Sequence, residues 1–357
     1  MAERTVGFGV VGCGVIGPTH CLAIQDAERA ELIGVCDTDP AKAAMLGDRF
    51  GVPYFTDLNE LLAQPGLDAI SVCVPSGNHA EVGVQAARAG KHVLSEKPIE
   101  ITLEAADRLI AACEESGVKL GVISQHRFAP DVLKVKQAIE AGDFGTMVLG
   151  EASIKWYRTQ QYYDSGDWRG TFALDGGGAL MNQGVHYIDL LQWLMGSVES
   201  IQAVVSTRTH QIEVEDLGLA ILRFQNGALG TITGSTSVFP GLPEKLEIHG
   251  SEATALIEAD KLKQYLRRSE MAEVGNYGLG AKSQVETENS GGAADPAAIG
   301  HSLHTAQVTD FASAIMEDRQ PAITGRDARR PLEIILTIYK SSAEKRPVLL
   351  NEVVKPG

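Results

Sequence analysis

The chain has 357 residues, 44% of them hydrophobic, and a formal net charge of −15. That length predicts two domains with cores of their own. The acidic balance excludes a basic patch of the kind that holds nucleic acid or an anionic membrane.

Val6 to Val11 is an apolar, β-rich run ending in Gly12-Cys13-Gly14-Val15-Ile16-Gly17, and helical spacing follows from Pro18 to Ala30. A GxGxxG between a strand and a helix is a dinucleotide fingerprint: Gly12 for the tight turn, Gly14 for backbone approach to a pyrophosphate, Gly17 for close packing. The helix N-terminus offers unpaired N–H groups to the phosphates. Glu31 to Cys36 is the second strand, and Asp37 follows it, 20 residues after Gly17, where an acid accepts from the adenine ribose. Thr38, Asp39 and Pro40 come next, so a 2′-phosphate would meet two carboxylates and NAD is expected over NADP. Asp39 suits the cap of the next helix better than Asp37 does.

The alternation continues with strands over 68–74, 91–94 and 119–123 and helices over 80–89 and 103–116. Repeated βα units predict a doubly wound parallel sheet, with ligands at the C-terminal ends of its strands. Three sets of residues fall at that edge: the loop Pro75-Ser76-Gly77-Asn78-His79, then Glu96-Lys97-Pro98, then Gln125-His126-Arg127. A lysine there is unusual unless its ammonium has a task. His79, in the first turn of a helix, reads as structural or as a contact to cofactor or substrate.

Beyond Phe128 a helix over 132–141 is followed by strand-like segments at 147–157, 198–209, 217–224, 228–235, 245–248 and 254–258. They predict a large, mainly antiparallel sheet with one face on helices and the other free to meet a second subunit. Asn226-Gly227 signals a type I′ hairpin. Residues 269–298 read as a polar loop, and helices resume at 302–316 and 327–342. Domains over 1–126 and 127–357 are expected.

Within Asp175-Gly-Gly-Gly-Ala-Leu-Met-Asn182-Gln-Gly-Val-His186-Tyr-Ile-Asp189, a helix places Asn182 and His186 on one face. Asn182 is a poor metal ligand and no third His or Cys is near, so no metal is expected. The alternative is a core histidine satisfied by Asp189. Tyr157, Tyr162, Tyr163, Trp168, His301 and His304 are further cleft-lining possibilities, although aromatic residues are more often core.

The five cysteines, Cys13, Cys21, Cys36, Cys73 and Cys113, contain no CxxC pair and read as buried thiols in a reducing compartment. No run approaches the roughly 18 apolar residues of a membrane span, and the first residues have no signal-peptide layout. A cytoplasmic location is expected.

These residues together resemble the Gfo/Idh/MocA oxidoreductase family, named for glucose–fructose oxidoreductase and inositol dehydrogenase. The resemblance rests on the GxGxxG, Val74-Pro75-Ser76, Glu96-Lys97-Pro98, Gly176-Gly-Gly-Ala-Leu180, Gly184-Val-His186-Tyr-Ile-Asp189, the stretch 311–321 and Arg346-Pro-Val-Leu. It implies an N-terminal Rossmann domain and a C-terminal α/β domain with an open sheet that builds dimers or tetramers. It also implies NAD(P)-dependent redox chemistry at a carbinol carbon of a sugar, sugar derivative or cyclitol. Lys97 and His186 match the family's catalytic pair, and Trp168-Arg169 resembles its segment facing the nicotinamide. The expected cofactor contacts are then Gly12, Gly14, Val15, Ile16, Gly17, Asp37, Thr38, Val74, Pro75, Ser76, Asn78, His79, Glu96, Lys97, Gln125, Trp168 and Arg169. The expected substrate contacts are Lys97, Arg127, Tyr157, Trp168, Asn182 and His186. Many members carry Asp where this chain has Asn182, which removes a carboxylate and throws proton handling onto His186. Two alternatives stay open: a glycosidase or lyase that cycles a held NAD, and a non-catalytic NAD-binding regulator.

Overall fold

A computed structural model of the chain describes residues 5–270 and 300–353. The polar loop expected over 269–298 lies almost wholly outside the described residues. The first part runs β1 (Val6–Val11), α1 (Gly17–Asp26), β2 (Ala30–Cys36), α2 (Pro40–Phe50), β3 (Tyr54–Phe55), α3 (Leu58–Leu62), β4 (Ala69–Val72), α4 (His79–Arg88), β5 (His92–Ser95), α5 (Leu103–Glu115) and β6 (Leu120–Val122). The six strands form a parallel sheet in the order β3-β2-β1-β4-β5-β6. The order reverses between β1 and β4, which is the switch point where such sheets bind ligands. Every residue of β1 and β4 is buried, as strands covered on both faces require.

The second part continues with α6 (Pro130–Glu140), β7 (Met147–Lys155), α7 (Gln160–Asp164), α8 (Val185–Met195), β8 (Val198–Ser206), β9 (Leu217–Phe224), β10 (Leu229–Ser235), β11 (Lys245–Gly250), β12 (Ala253–Glu258) and β13 (Lys261–Arg267). Then come α9 (Ser302–Met316), α10 (Gly325–Glu344) and β14 (Val348–Leu349). Its eight-stranded sheet has the order β13-β12-β11-β7-β10-β9-β8-β14, with β7 and β10 parallel and the other pairs antiparallel. Helices α8 and α10 cover one face. On the other face Val204, Leu219, Ile221, Leu229 and Leu349 are exposed. Strand alternation explains both faces: β9 buries Gly218, Ala220, Leu222 and Phe224 and turns the residues between them outward.

The β9–β10 hairpin forms where expected, but its turn differs. Only Gly227 has positive φ, at 88°, and the Phe224 N–H donates to Ala228 O at 2.9 Å across a three-residue loop. A type I′ turn needs positive φ at two residues, whereas here Asn226 stays right-handed. Helix α9 returns from the far end of the chain to pack on α1. There Phe311 lies 6.2 Å from Phe8, ring centre to ring centre, inside the first core. All five cysteines are buried and free. Among the described residues no helix is long and apolar enough to cross a membrane.

Candidate active site

The cofactor end is built from the β1–α1 turn. Gly12 has φ +101°, and a Cβ there would lie 2.5 Å from Cys73 O, so only glycine makes this turn. A Cβ on Gly14 would meet nothing within 4 Å, which leaves its backbone open to a ligand. Val15 is 65% exposed beside it, with Ile16 and Gly17 leading into α1. Asp37, at the end of β2, accepts the Cys13 N–H at 2.7 Å and the Asp39 N–H at 2.8 Å. Asp39 caps α2 by accepting from Ala41 N, as its position suggested. Thr38 is exposed between the two carboxylates. Glycines open to a ligand, a free helix N-terminus and a ribose-facing acid fit a dinucleotide.

The loop after β4 carries Val74, Pro75, Ser76 and Asn78 along the sheet edge, and the Gly77 N–H donates to Leu174 O of the second part at 2.9 Å. His79 does not face ligand. Its Nδ1 lies 2.8 Å from Pro98 O and its Nε2 3.0 Å from Val74 O, so both ring nitrogens serve the backbone. Burial holds its pKa below the usual value, and it braces the lysine loop as the structural reading anticipated. Glu96 is likewise turned inward, 6% exposed, with its carboxylate among His20, His304 and the Lys97 N–H.

Lys97 follows β5. Its ammonium donates to the main-chain O of Asn182 at 2.9 Å, joining the two parts of the chain at the site. Burial lowers its pKa from the ordinary lysine value, and the cations Arg169 and Arg158 push the same way against Glu96 and Asp175. Asn182 sits in a π-helical turn over Ala179–Gly184 that runs into α8, not in the regular helix the spacing suggested. Such turns concentrate at functional sites. The Asn182 amide Nδ2 donates to Asp175 Oδ1 at 2.7 Å, and Asp175 Oδ2 accepts Gly170 N–H at 2.9 Å. Asp175 is 2% exposed, and burial raises its pKa above the usual carboxylate value.

His186 opens the first turn of α8 against His126, whose ring centre lies 4.6 Å away. Its Nδ1 is buried and has no hydrogen-bond partner in the protein. Burial, with Lys97 and His126 beside it, holds its pKa well below 6.5. Asp189 does not satisfy it. Asp189 instead takes two Arg127 donors, Nε at 2.7 Å and Nη2 at 2.5 Å, and the Arg127 guanidinium lies 5.1 Å from the Trp193 ring centre. Arg127 is thus a buried cation paired with Asp189, a structural role that the expectation of a substrate contact did not include. Buried bidentate pairs of this kind hold elements together.

Arg169 lies near enough to Lys97 to act on its charge, with Trp168 packed against it. The Arg169 guanidinium lies between the Trp168 and Tyr162 rings, at 4.5 and 4.4 Å, and donates to the Tyr162 hydroxyl at 2.7 Å. Gln183 donates to the same hydroxyl at 3.0 Å. Gln125 is 6% exposed, and its Oε1 has no partner. Tyr157 is 38% exposed and meets Phe239 edge-on at 5.3 Å, at the surface. Tyr163 hydrogen-bonds Thr236 in the interior at 2.7 Å, and His301 pairs with Asp26 at the surface. His20 carries no pattern that singles it out in the sequence, and neither the place of His126 past the last strand nor that of Asp175 before the glycines reveals its partner; these depend on the folded chain.

Comparison with known proteins agrees with this geometry. Residues 6–124 match the oxidoreductase family with an NAD-binding Rossmann fold, and residues 132–256 match the GFO/IDH/MocA C-terminal domain. The chain is 33% identical to the WlbA dehydrogenase of Bordetella pertussis, solved with NADH and UDP-GlcNAcA; the match covers 97% of this chain and 99% of that one, with a TM-score of 0.84. It is 24% identical to myo-inositol 2-dehydrogenase of Thermotoga maritima over 97% of this chain and 99% of that protein. It is 25% identical to D-apiose dehydrogenase of Paraburkholderia graminis over 96% and 89%. The protein belongs to the Gfo/Idh/MocA family of NAD-binding oxidoreductases.

Proposed function

We propose that this oxidoreductase acts on a secondary alcohol carbon of a sugar, sugar derivative or cyclitol, with Lys97 and His186 handling the hydroxyl proton. The observation that carries the reading is that the His186 Nδ1 has no partner in the protein while the ring lies close enough to the Lys97 ammonium to feel its charge. Lys97 follows β5 at the strand edge that also carries the glycine turn and Asp37. When bound, the nicotinamide supplies the acceptor for the carbinol hydride. The chain's own residues then have to remove one proton from oxygen.

Two adjacent cations in a buried pocket are costly, so the pair carries one positive charge between them. Charged Lys97 beside neutral His186 is the resting arrangement: Lys97 orients the substrate oxygen, and the His186 imidazole accepts its proton. Asp175 and Glu96 supply the opposing negative charge. Asn182, held by Asp175, presents its amide oxygen to a neighbouring hydroxyl. Trp168 and Arg169 line the nicotinamide side of the cleft.

NAD is the expected cofactor, because a 2′-phosphate would face Asp37 with Asp39 next to it. The exposed apolar face of the larger sheet supports a homodimer or homotetramer, since isolated chains rarely expose such a stripe. Five buried free thiols suit a reducing cytoplasm.

The test is purified protein with NAD⁺ against inositols, free hexoses, glycosides, UDP-hexoses and UDP-uronic acids, followed by NADH absorbance. Steady NADH formation with one class supports the reading. Sugar release from glycosides without net NADH would replace it with redox-cycling elimination, and inactivity across the panel with NAD bound would replace it with a regulator.

A further inference from the structure

We propose that His20, Glu96 and His304 form a buried brace that fixes Lys97 and supplies an anion facing its ammonium, making His20 and His304 positioning residues for the reaction. This rests on the assignment of Lys97 above.

The brace gathers three distant elements around one carboxylate. Glu96 Oε1 meets His20 Nε2 from α1 at 2.7 Å and His304 Nε2 from α9 at 3.8 Å. Glu96 Oε2 accepts Lys97's own N–H at 3.0 Å. His20 is fully buried, and its Nδ1 lies 2.6 Å from the Ser71 hydroxyl, which fits a ring that accepts from Ser71 and donates to Glu96. Helix α9 is pinned one turn further on: Ser124 N–H donates to Gln307 Oε1 at 3.0 Å, and Gln307 Nε2 donates to Val122 O at 2.7 Å. His304 is thereby held at the same strand edge as Lys97.

Burial alone would favour the neutral acid, but the hydrogen bond from His20 and the nearby His304 outweigh it and hold the Glu96 pKa well below the usual value. The carboxylate thus stays ionised behind the lysine, where it opposes the desolvation of the ammonium. The other groups that feel Glu96 are His79 from α4, His186 from α8 and Cys73 after β4. Those acting on Lys97, besides Glu96, are Asp175, Arg169 and Arg158. The three donor atoms also lie within 4.8 Å of one another, a spacing that a metal ion could use. The 2.7 Å contact between His20 and Glu96 is the length of a hydrogen bond, and the metal content of the purified protein separates the two readings.

The experiment compares wild type, Lys97→Met, Glu96→Gln, His304→Ala and His304→Gln in the full chain with NAD and the best substrate, measuring kcat and KM across pH, melting temperature and metal content. Glu96→Gln is expected to move the Lys97-dependent limb of the profile down by about 1 pH unit, because it removes an anion from beside an ammonium. His304→Ala is expected to lower kcat about tenfold to a hundredfold with little change in KM for NAD. His304→Gln, which keeps a polar N–H group facing Glu96, should restore much of that loss. If Glu96→Gln leaves the limb in place, or both His304 variants lose only thermal stability, the brace is structural and the proposal falls. Stoichiometric metal in wild type that His304→Ala removes would also overturn it. A profile unchanged by Lys97→Met would instead sink the lysine assignment. Should Glu96→Gln fail to fold, the His304 pair decides.

Discussion

The side-chain amide of Asn182 donates to the carboxylate of Asp175 at 2.7 Å, directly behind the carbonyl that holds the Lys97 ammonium. The chain thus keeps a carboxylate, that of Asp175, in direct contact with the side chain at 182. Asp175→Asn removes one of the two anions opposing the Lys97 cation and replaces one of its two acceptors, which serve Asn182 Nδ2 and Gly170 N–H, with a donor. We expect kcat to fall about tenfold to a hundredfold, as misplacement near the reacting atoms does, with melting temperature little changed. Asn182→Asp sets two carboxylates against each other, so one must bind a proton. Its kcat should be depressed at neutral pH and should vary with pH more steeply than wild type.

His186→Ala should lower kcat by about two to four orders of magnitude, the range for loss of an acid–base group, and leave the substrate KM largely in place. Burial and two neighbouring cationic or ionisable groups hold this histidine well below 6.5, so it is neutral throughout the neutral range. Any acid limb of the wild-type kcat profile that belongs to it therefore lies below 6.5. A limb at the ordinary histidine value would contradict its buried geometry.

Glu215 sets the entry to the helix that carries His186. Its carboxylate accepts Gly178 N–H at 3.0 Å, Leu180 N–H at 2.8 Å and the Tyr339 hydroxyl at 3.1 Å. Burial nevertheless pushes its pKa up from 4.5 to about 7. Between those values the folded protein holds a proton that the unfolded chain has released, so stability falls as pH rises from about 4.5 through 7. The difference is on the order of 3 kcal/mol when complete. Glu215→Gln mimics the protonated form, and its melting temperature should decline less than that of wild type between pH 5 and about 8. Parallel curves for the two proteins would refute the assignment.

The outer face of the larger sheet pairs Val204 with Leu219 across neighbouring strands, and Ile221 lies two residues further along. Burying such side chains against a second copy contributes about 1.5–3 kcal/mol each. Wild type should run as a dimer or tetramer in light scattering, and Ile221→Glu combined with Val204→Glu should shift it towards monomer. A monomeric wild type would remove the interface.

The parallel sheet, the glycine turn and the positions of Asp37 and Lys97 past their strands were legible in the sequence because each depends on local spacing between a strand and its next helix. Side chains whose partners lie far along the chain were not. Arg127 stands at the sheet edge beside Gln125, and nothing local reveals that Asp189 claims it. Asp175 reads as the start of a glycine-rich turn until the π-helical turn brings Asn182 back onto it. His304 reads as one more aromatic ring until α9 folds against α1 and sets it beside Glu96. In each case a polar group buried by tertiary packing had to find a partner, and the fold decides which one.

The most direct test is single-turnover NADH formation by Lys97→Met with saturating NAD⁺ and the best substrate from the panel. The account predicts that the variant binds NAD⁺ and melts like wild type but transfers hydride at least about a hundredfold more slowly, since the oxygen is no longer oriented or its proton shared. Near-normal single-turnover rates in that variant would contradict it.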